Sequence, residues 1–167
     1  MFVSDEFCSF PGWPLKYYTN YDFNDGAIFI FQKAVTCDGV LAEWRYTPIV
    51  SRPFKALVAR DLGGSRYTIV GINDIPASAF AQEKHYSVSE SHRFAVRTGD
   101  VIGFAYYGSS GVLTFRDGED SDDDSNRVKY VFIQDKDYLA LSVNQIIEFA
   151  IPPLKRHYSI EAIVKDV

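Results

Sequence analysis

Three histidines, His85, His92 and His157, are the side chains best suited to acid–base or metal chemistry at neutral pH. They are scattered, each on or beside a predicted strand, and His85 and His92 could approach each other across a hairpin. The sequence contains no GxSxG, HExxH, P-loop or GxGxxG motif. We therefore assign no catalytic residue and expect a protein that binds rather than an enzyme.

An acidic stretch, RDGEDSDDDSN at 116–126, is the candidate metal site. Calcium is a hard cation that binds several carboxylate and carbonyl oxygens at once, and Asp117, Glu119, Asp120 and Asp122 would be its ligands. The stretch does not have EF-hand spacing. Blocks of like charge are commonly solvated loops. A calcium site and a mobile, exposed loop are therefore the two alternatives.

Aromatic residues are unusually frequent, at 16 % of the chain, and they indicate a ligand site. A sugar ring stacks its apolar face on Trp or Tyr while its hydroxyls bond to nearby polar groups, so carbohydrate or glycoconjugate recognition is the first hypothesis. The candidate ligand-binding residues are Trp13, Tyr17, Tyr18, Tyr21, Asn73, Asp74, Tyr106 and Tyr107. For Tyr106, which lies on an inward face, a place in the core is the competing interpretation.

Three segments are apolar on both faces: AIFIF at 27–31, VIGFAYY at 101–107 and YVFI at 130–133. They predict central strands. They also support a second hypothesis, a carrier of a carotenoid, another pigment or a lipid in an aromatic-lined groove or subunit interface. A structural or adhesive module that forms a homo-oligomer is the third. The ligand would be a glycan or a small apolar molecule, and the cofactors considered are calcium and a bound apolar chromophore or lipid.

The composition limits the partners. The 167 residues are 47 % hydrophobic and 23 % charged, as in one folded domain. Net charge is −5, but six of the 22 acidic residues lie between 117 and 124 and Lys plus Arg number 17, so the rest is nearly neutral. We expect neither nucleic-acid binding nor membrane insertion.

The two cysteines, Cys8 and Cys37, have neither CxxC nor zinc-finger spacing. We predict a disulfide between them, with two free thiols as the alternative, and hence a secreted or extracellular protein. The preceding MFVSDEF is too short and too polar for a signal peptide. We expect that a leader was removed or that the first Met was added for expression.

Alternation with period two recurs from residue 26 onward and predicts about ten strands. They fall near 26–35, 39–47, 53–60, 65–71, 85–89, 92–97, 100–107, 111–116, 127–133, 145–151 and 156–164, with the two around residue 90 counted as one interrupted strand. Asp38-Gly39 and Gly63-Gly64 predict hairpin turns. The one helical candidate is 76–84, where Pro76 could occupy a first turn.

These patterns predict an all-β fold, an antiparallel jelly-roll-like β-sandwich. We expect residues 1–24 to form an irregular N-terminal wrap on the sandwich and residues 25–167 to form the sandwich itself, in a single domain overall.

Three stretches carry a resemblance: CDGVLAEWRYT at 37–47, FKALVARDLGGSRYTIVGINDI at 54–75 and RTGDVIGFAYYG at 97–108. Together they resemble a secreted jelly-roll-like module of marine-invertebrate extracellular proteins, with its Cys-x-Gly turn and its W-x-[FY], YTIVG and GDVIGF strands. The resemblance covers most of the chain from Cys8 to Val164. It implies the fold and an extracellular setting, and it assigns no catalytic or ligand-binding residue.

Overall fold

The computed structural model describes residues 7–10, 26–79, 81–108, 111–113, 115–117, 127–150 and 153–166, with the main chain alone at 7–10, 116–117 and 155. The strands are β1 (Phe7–Phe10), β2 (Ala27–Ala34), β3 (Gly39–Tyr46), β4 (Phe54–Gly63), β5 (Arg66–Ile75), β6 (Lys84–Ser87), β7 (Ala95–Val96), β8 (Val101–Tyr106), β9 (Phe115–Asp117), β10 (Arg127–Phe132), β11 (Ile146–Glu148), β12 (Leu154–Tyr158) and β13 (Ile160–Lys165). A 3-10 turn spans Glu90–His92, and the helix α1 spans Asp135–Leu139. Neither has the length and apolarity to cross a membrane, and the described residues contain no other helix.

The strands form two antiparallel sheets. The smaller sheet has the order β1-β13-β3-β6, and β7 also pairs with β3. The larger sheet has the order β11-β5-β4-β8-β2-β10-β12-β9. The prediction of an all-β antiparallel sandwich is confirmed.

The main core lies between the two sheets. β2 and β8 are neighbours in the middle of the larger sheet, and their residues are buried on both faces over most of their length. Phe29 and Phe104 point toward the smaller sheet, and their rings lie 5.1 Å and 4.9 Å from that of Tyr158. Trp44 of β3 contributes a fully buried ring from the other side. The prediction that 27–31 and 101–107 form central strands is confirmed, except that β8 ends at Tyr106.

A second hydrophobic core covers the opposite face of the larger sheet. Ile28 and Leu57 on this face pack in one cluster with Tyr138, Leu141 and Phe149, which come from α1 and the chain that follows it. The chain between β10 and β11 therefore crosses the face and shields it from water. This second core explains why the central strands are apolar on both faces, since burial of apolar surface on each side stabilises the sheet.

The predicted strand at 156–164 is two strands in different sheets. β12 belongs to the larger sheet and β13 to the smaller one, and Ser159 lies at the corner. The Ser159 carbonyl accepts a hydrogen bond from the Thr47 amide, and its hydroxyl donates to Thr47 Oγ1 at 2.8 Å. Because Tyr158 and Ile160 are buried on either side of the corner, the alternation continues through it and hides the change of sheet.

The helix predicted at 76–84 is wrong. The described residues there are not helical, and Lys84 begins β6. This segment carries the chain from β5 in the larger sheet to β6 in the smaller one.

Of the hairpin turns predicted at Asp38-Gly39 and Gly63-Gly64, the second is confirmed. Gly63 and Gly64 join β4 to β5 with φ angles of 83° and 61°, a left-handed conformation that glycine adopts without strain. The other prediction, at Asp38-Gly39, is wrong because β2 and β3 belong to different sheets.

Two further predictions agree with the structure only in part. Phe7–Phe10 is a strand paired with β13, so the N-terminal part is regular there, while residues 1–6 and 11–25 lie outside the described residues. The segment 130–133 lies largely in β10, which has β2 on one side and β12 on the other, and among the described residues β10 pairs with β12 at Arg127 and Val128. Phe132 beyond these pairs is 50 % exposed.

Candidate functional site

Asn73, a predicted sugar contact, is buried between the sheets. Its Oδ1 accepts a hydrogen bond from Trp44 Nε1 at 2.9 Å, and its Nδ2 donates to the His92 carbonyl at 3.1 Å. Only 4 % of the residue is exposed. Asn73 therefore joins β5 to β3, and its place in a surface site is not supported.

Tyr106 is also unavailable to a ligand at the surface. It has no exposed area, and its ring lies 6.2 Å from that of Phe29 and 6.4 Å from that of Phe104. The competing interpretation from the sequence, a core position, is the one that this burial supports.

Tyr107 and Asp74 lie in one cluster on the outer face of the larger sheet. The Tyr107 ring is 4.7 Å from the Tyr138 ring, and the Arg52 guanidinium lies 5.6 Å from its centroid. Asp74 accepts a 2.7 Å hydrogen bond from Lys55, whose ammonium lies 5.1 Å from the Tyr138 ring centroid. Two neighbours thus already contact the Tyr107 ring, whereas the Asp74 carboxylate is largely exposed.

The remaining predicted site residues lie outside the described residues or are described by their main chain alone. Trp13, Tyr17, Tyr18, Tyr21, Glu119, Asp120 and Asp122 belong to the first group, and Asp117, in β9, to the second. The calcium site stays a prediction. Carbohydrate recognition stays a prediction too, and its aromatic platform would come from Trp13 and the three N-terminal tyrosines.

The sulfur of Cys37 is part of a disulfide and is not a free thiol. It lies in the link between β2 and β3 and packs against the main core. Cys8 is described by its main chain, which pairs with Val164 of β13. The pairing of Cys37 with Cys8 therefore stays a prediction, and strand β1 places Cys8 in the sheet that contains β3.

His85 belongs to a charged network on the outer face of the smaller sheet. Its ring nitrogens lie 3.3 Å from Glu43 and 3.4 Å from Glu83, and Arg45 bridges Glu43 and Glu161 at 3.2 Å and 3.5 Å. Burial raises the pKa of Glu161, against the opposing effect of Arg45. Three carboxylates thus surround one guanidinium and one imidazole in this network.

The other histidines occupy different surroundings. His92 is exposed, with Nδ1 3.0 Å from the Ser89 hydroxyl, and His157 is fully buried. Within the described part of the chain, no three His, Cys, Asp or Glu side chains are grouped so that they could hold a metal ion.

The larger sheet curls on the face that carries the second core. Lys129 of β10 places its ammonium 5.2 Å from the centroid of the Tyr67 ring on β5, although four strand steps separate these strands. In a flat sheet they would lie about 19 Å apart. The face is therefore concave, and β10 and β11 approach each other across it.

A groove of about 300 Å³ lies between β10 and β11, and we call it the β10–β11 groove. Its apolar lining residues are Ile28, Val131, Ile133, Ala140, Leu141, Ile146 and Ile147, and its polar ones are Asp137, Gln145 and Glu148. A mostly apolar lining with a few polar groups is typical of small-molecule sites, and the volume lies at the lower end of their range of roughly 300–1,000 Å³.

Exposed apolar side chains surround this groove. Ile146 in its wall is 54 % exposed, and Leu139, next to Ala140 in the chain, is 73 % exposed. Phe132 lines an adjoining hollow that shares Ile133 and Asp137 with the groove. Exposed apolar surface of this kind commonly marks a binding site.

Comparison with known proteins assigns this chain to no family. No family model and no curated protein matches the chain. Among solved structures, 96 % of the chain matches the clostridial cysteine protease Cwp84 after propeptide cleavage, with 12 % identity and a TM-score of 0.48. The chain spans 40 % of the length of that protein. At this identity and TM-score the likeness carries no argument about fold or activity.

Proposed function

We propose that this chain is a binding protein that holds a small apolar molecule in the β10–β11 groove. The observation that carries the proposal is the groove itself, in which seven of the ten lining residues are apolar. Apolar surface that stays in contact with water costs about 25 cal/mol per Å² relative to burial, so a ligand that covers it gains this free energy.

The arrangement of the strands supports the proposal. The floor and one wall come from Ile28, Val131 and Ile133, which belong to two of the segments with apolar residues on both faces. The other wall comes from Ile146 and Ile147 of β11. Because these walls belong to a hydrogen-bonded sheet, they are preorganised and bind without a large cost in conformational entropy.

The groove differs in one respect from the pigment or lipid carrier expected from the sequence. Its apolar residues are aliphatic, whereas the expected groove was lined by aromatic rings. The Phe and Tyr rings of β2 and β8 point instead into the core between the sheets. Aliphatic walls favour a flexible or alicyclic hydrocarbon over a ligand that must stack on rings.

The test is binding of the neutral apolar dye Nile red, measured by its fluorescence. We expect saturable binding to the native protein. Ala140→Trp places an indole in the groove and should weaken the affinity by at least about tenfold, because the added ring occupies the ligand volume. Ala77→Trp is the matched control, because Ala77 is exposed in the link after β5 and does not line the groove.

Two results would overturn the proposal. One is the absence of saturable dye binding to the native protein. The other is unchanged affinity in Ala140→Trp when circular dichroism shows that this variant is folded.

A further inference from the structure

The polar groups in the β10–β11 groove carry negative charge or are already engaged. Asp137 comes from α1 and Glu148 from β11, so carboxylates enter the lining from two different elements. Gln145 Oε1 accepts a hydrogen bond from the Ser142 amide at 3.1 Å. The described lining contains no Lys, Arg or His.

Among the described residues, no cation forms an ion pair with these carboxylates, although Arg66 of β5 stands directly opposite Glu148 of β11. Lys129 is directed at the Tyr67 ring on the same concave face. Lys136 lines the adjoining hollow and not the groove. A cation brought by a ligand would therefore find unpaired partners.

We propose that the ligand of the groove is a small amphiphile with a hydrocarbon body and a protonated amine head, an inference that rests on the proposed function. The hydrocarbon covers the aliphatic walls, and the ammonium pairs with Asp137 and Glu148. An anionic head would be repelled by both carboxylates, which are exposed to solvent. A small molecule fits better than an amphipathic peptide, because an α-helix is about 10–12 Å across with its side chains.

The experiment compares three amphiphiles with equal hydrocarbon chains, all below their micellar concentrations: decylamine, decanol and decanoate. Each competes with bound Nile red on the native protein at neutral pH. We expect decylamine to bind about tenfold more tightly than decanoate, with decanol between them. Added salt should reduce the preference for the amine, because it screens exposed charges.

Substitutions test whether the two carboxylates cause the preference for decylamine. Asp137→Asn combined with Glu148→Gln keeps the shape of both side chains and removes both charges. In this double variant decylamine should lose its advantage over decanol. Asp135→Asn is the matched control, because Asp135 is an exposed carboxylate on α1 that does not line the groove. It should retain the preference.

The outcomes separate the two proposals. Decanol and Nile red could bind while the three amphiphiles have equal affinities or decanoate binds best. The proposal of an amine head group would then be wrong, and the proposal of an apolar ligand in the groove would be retained. The amine is also wrong if the double variant keeps the native preference. If neither Nile red nor any of the amphiphiles binds, the proposed function itself fails.

Discussion

Asn73 joins the two sheets through both polar groups of its side chain. It accepts from the indole of Trp44 and donates to the His92 carbonyl. Trp44 is fully buried, so its indole N–H depends on this partner. A buried donor without an acceptor keeps the full cost of leaving water. The pair therefore fixes how the smaller sheet sits on the larger one.

We expect Asn73→Leu to lower the free energy of unfolding by about 1–3 kcal/mol, because the buried indole loses its acceptor. Chemical denaturation followed by tryptophan fluorescence measures the change. Asp74→Asn is the control on the same strand. Its carboxylate is exposed and pairs with Lys55, so the expected change is below about 1 kcal/mol. Equal stability of Asn73→Leu and the native protein would contradict the role of Asn73.

At the scale of the element, α1 depends on its tertiary contacts. It has five residues, and isolated helices shorter than about 12 residues are marginal in water. Tyr138 anchors it through ring contact with Tyr107 and through the ammonium of Lys55. The helix in turn brings Asp137 into the lining of the β10–β11 groove. Loss of this anchor would therefore alter the proposed site.

The Tyr138 phenol provides a pH test of this anchor. Burial, with a smaller effect from the negative charge of Asp74, raises the pKa of Tyr138 to about 12. A phenol with a raised folded-state pKa contributes stability that is complete below pH 10 and is lost as the pH rises through about 12. The full loss amounts to about 2–3 kcal/mol.

We therefore expect the native protein to lose stability relative to Tyr138→Phe as the pH rises from about 9 to 12, since phenylalanine does not ionise. Denaturant unfolding of both proteins across this range gives the difference, and comparison of the pair cancels the titration of the other groups. A constant difference between the two proteins over the whole range would show that Tyr138 titrates as an exposed phenol.

For the molecule as a whole, the predicted disulfide would tie the N-terminal strand to the link between β2 and β3. We predict the pair Cys8–Cys37, which closes a loop that includes β2. In the chain-entropy model a loop of this length contributes roughly 3–4 kcal/mol to stability. Reduction, or the double substitution Cys8→Ser and Cys37→Ser, should lower the free energy of unfolding by that amount. The extracellular location expected from the cysteines stays a prediction.

The check is thiol titration of the denatured, unreduced protein with a chromogenic disulfide reagent. We expect no reactive thiol before reduction and two after it. Two reactive thiols before reduction would disprove the pair. A dimer band on non-reducing electrophoresis that disappears after reduction would show that the disulfide joins two molecules instead.

The sequence by itself determined the fold class, because the information is local. Side chains alternate along a strand, so the solvent-facing and core-facing sides of β3 can be read from its own residues without knowledge of the neighbouring strands. Strands β2 and β8 could likewise be assigned to the middle of a sheet, because their residues are apolar in both registers. The pair Gly63-Gly64 predicted the hairpin between β4 and β5, because both residues adopt a left-handed conformation that favours glycine.

Only the tertiary structure decided what lies across from each strand. The sequence cannot show that the chain changes sheets at Ser159, since the burial of Tyr158 and Ile160 preserves the alternation. It cannot show that Asn73 meets Trp44 from 29 residues away. The β10–β11 groove depends on the curl of a whole sheet, which sums the twist of every strand pair. The strand partners, the corner at Ser159 and the curvature of the larger sheet all depend on residues that are far apart in the sequence. Together they bring the residues of the candidate site to one place.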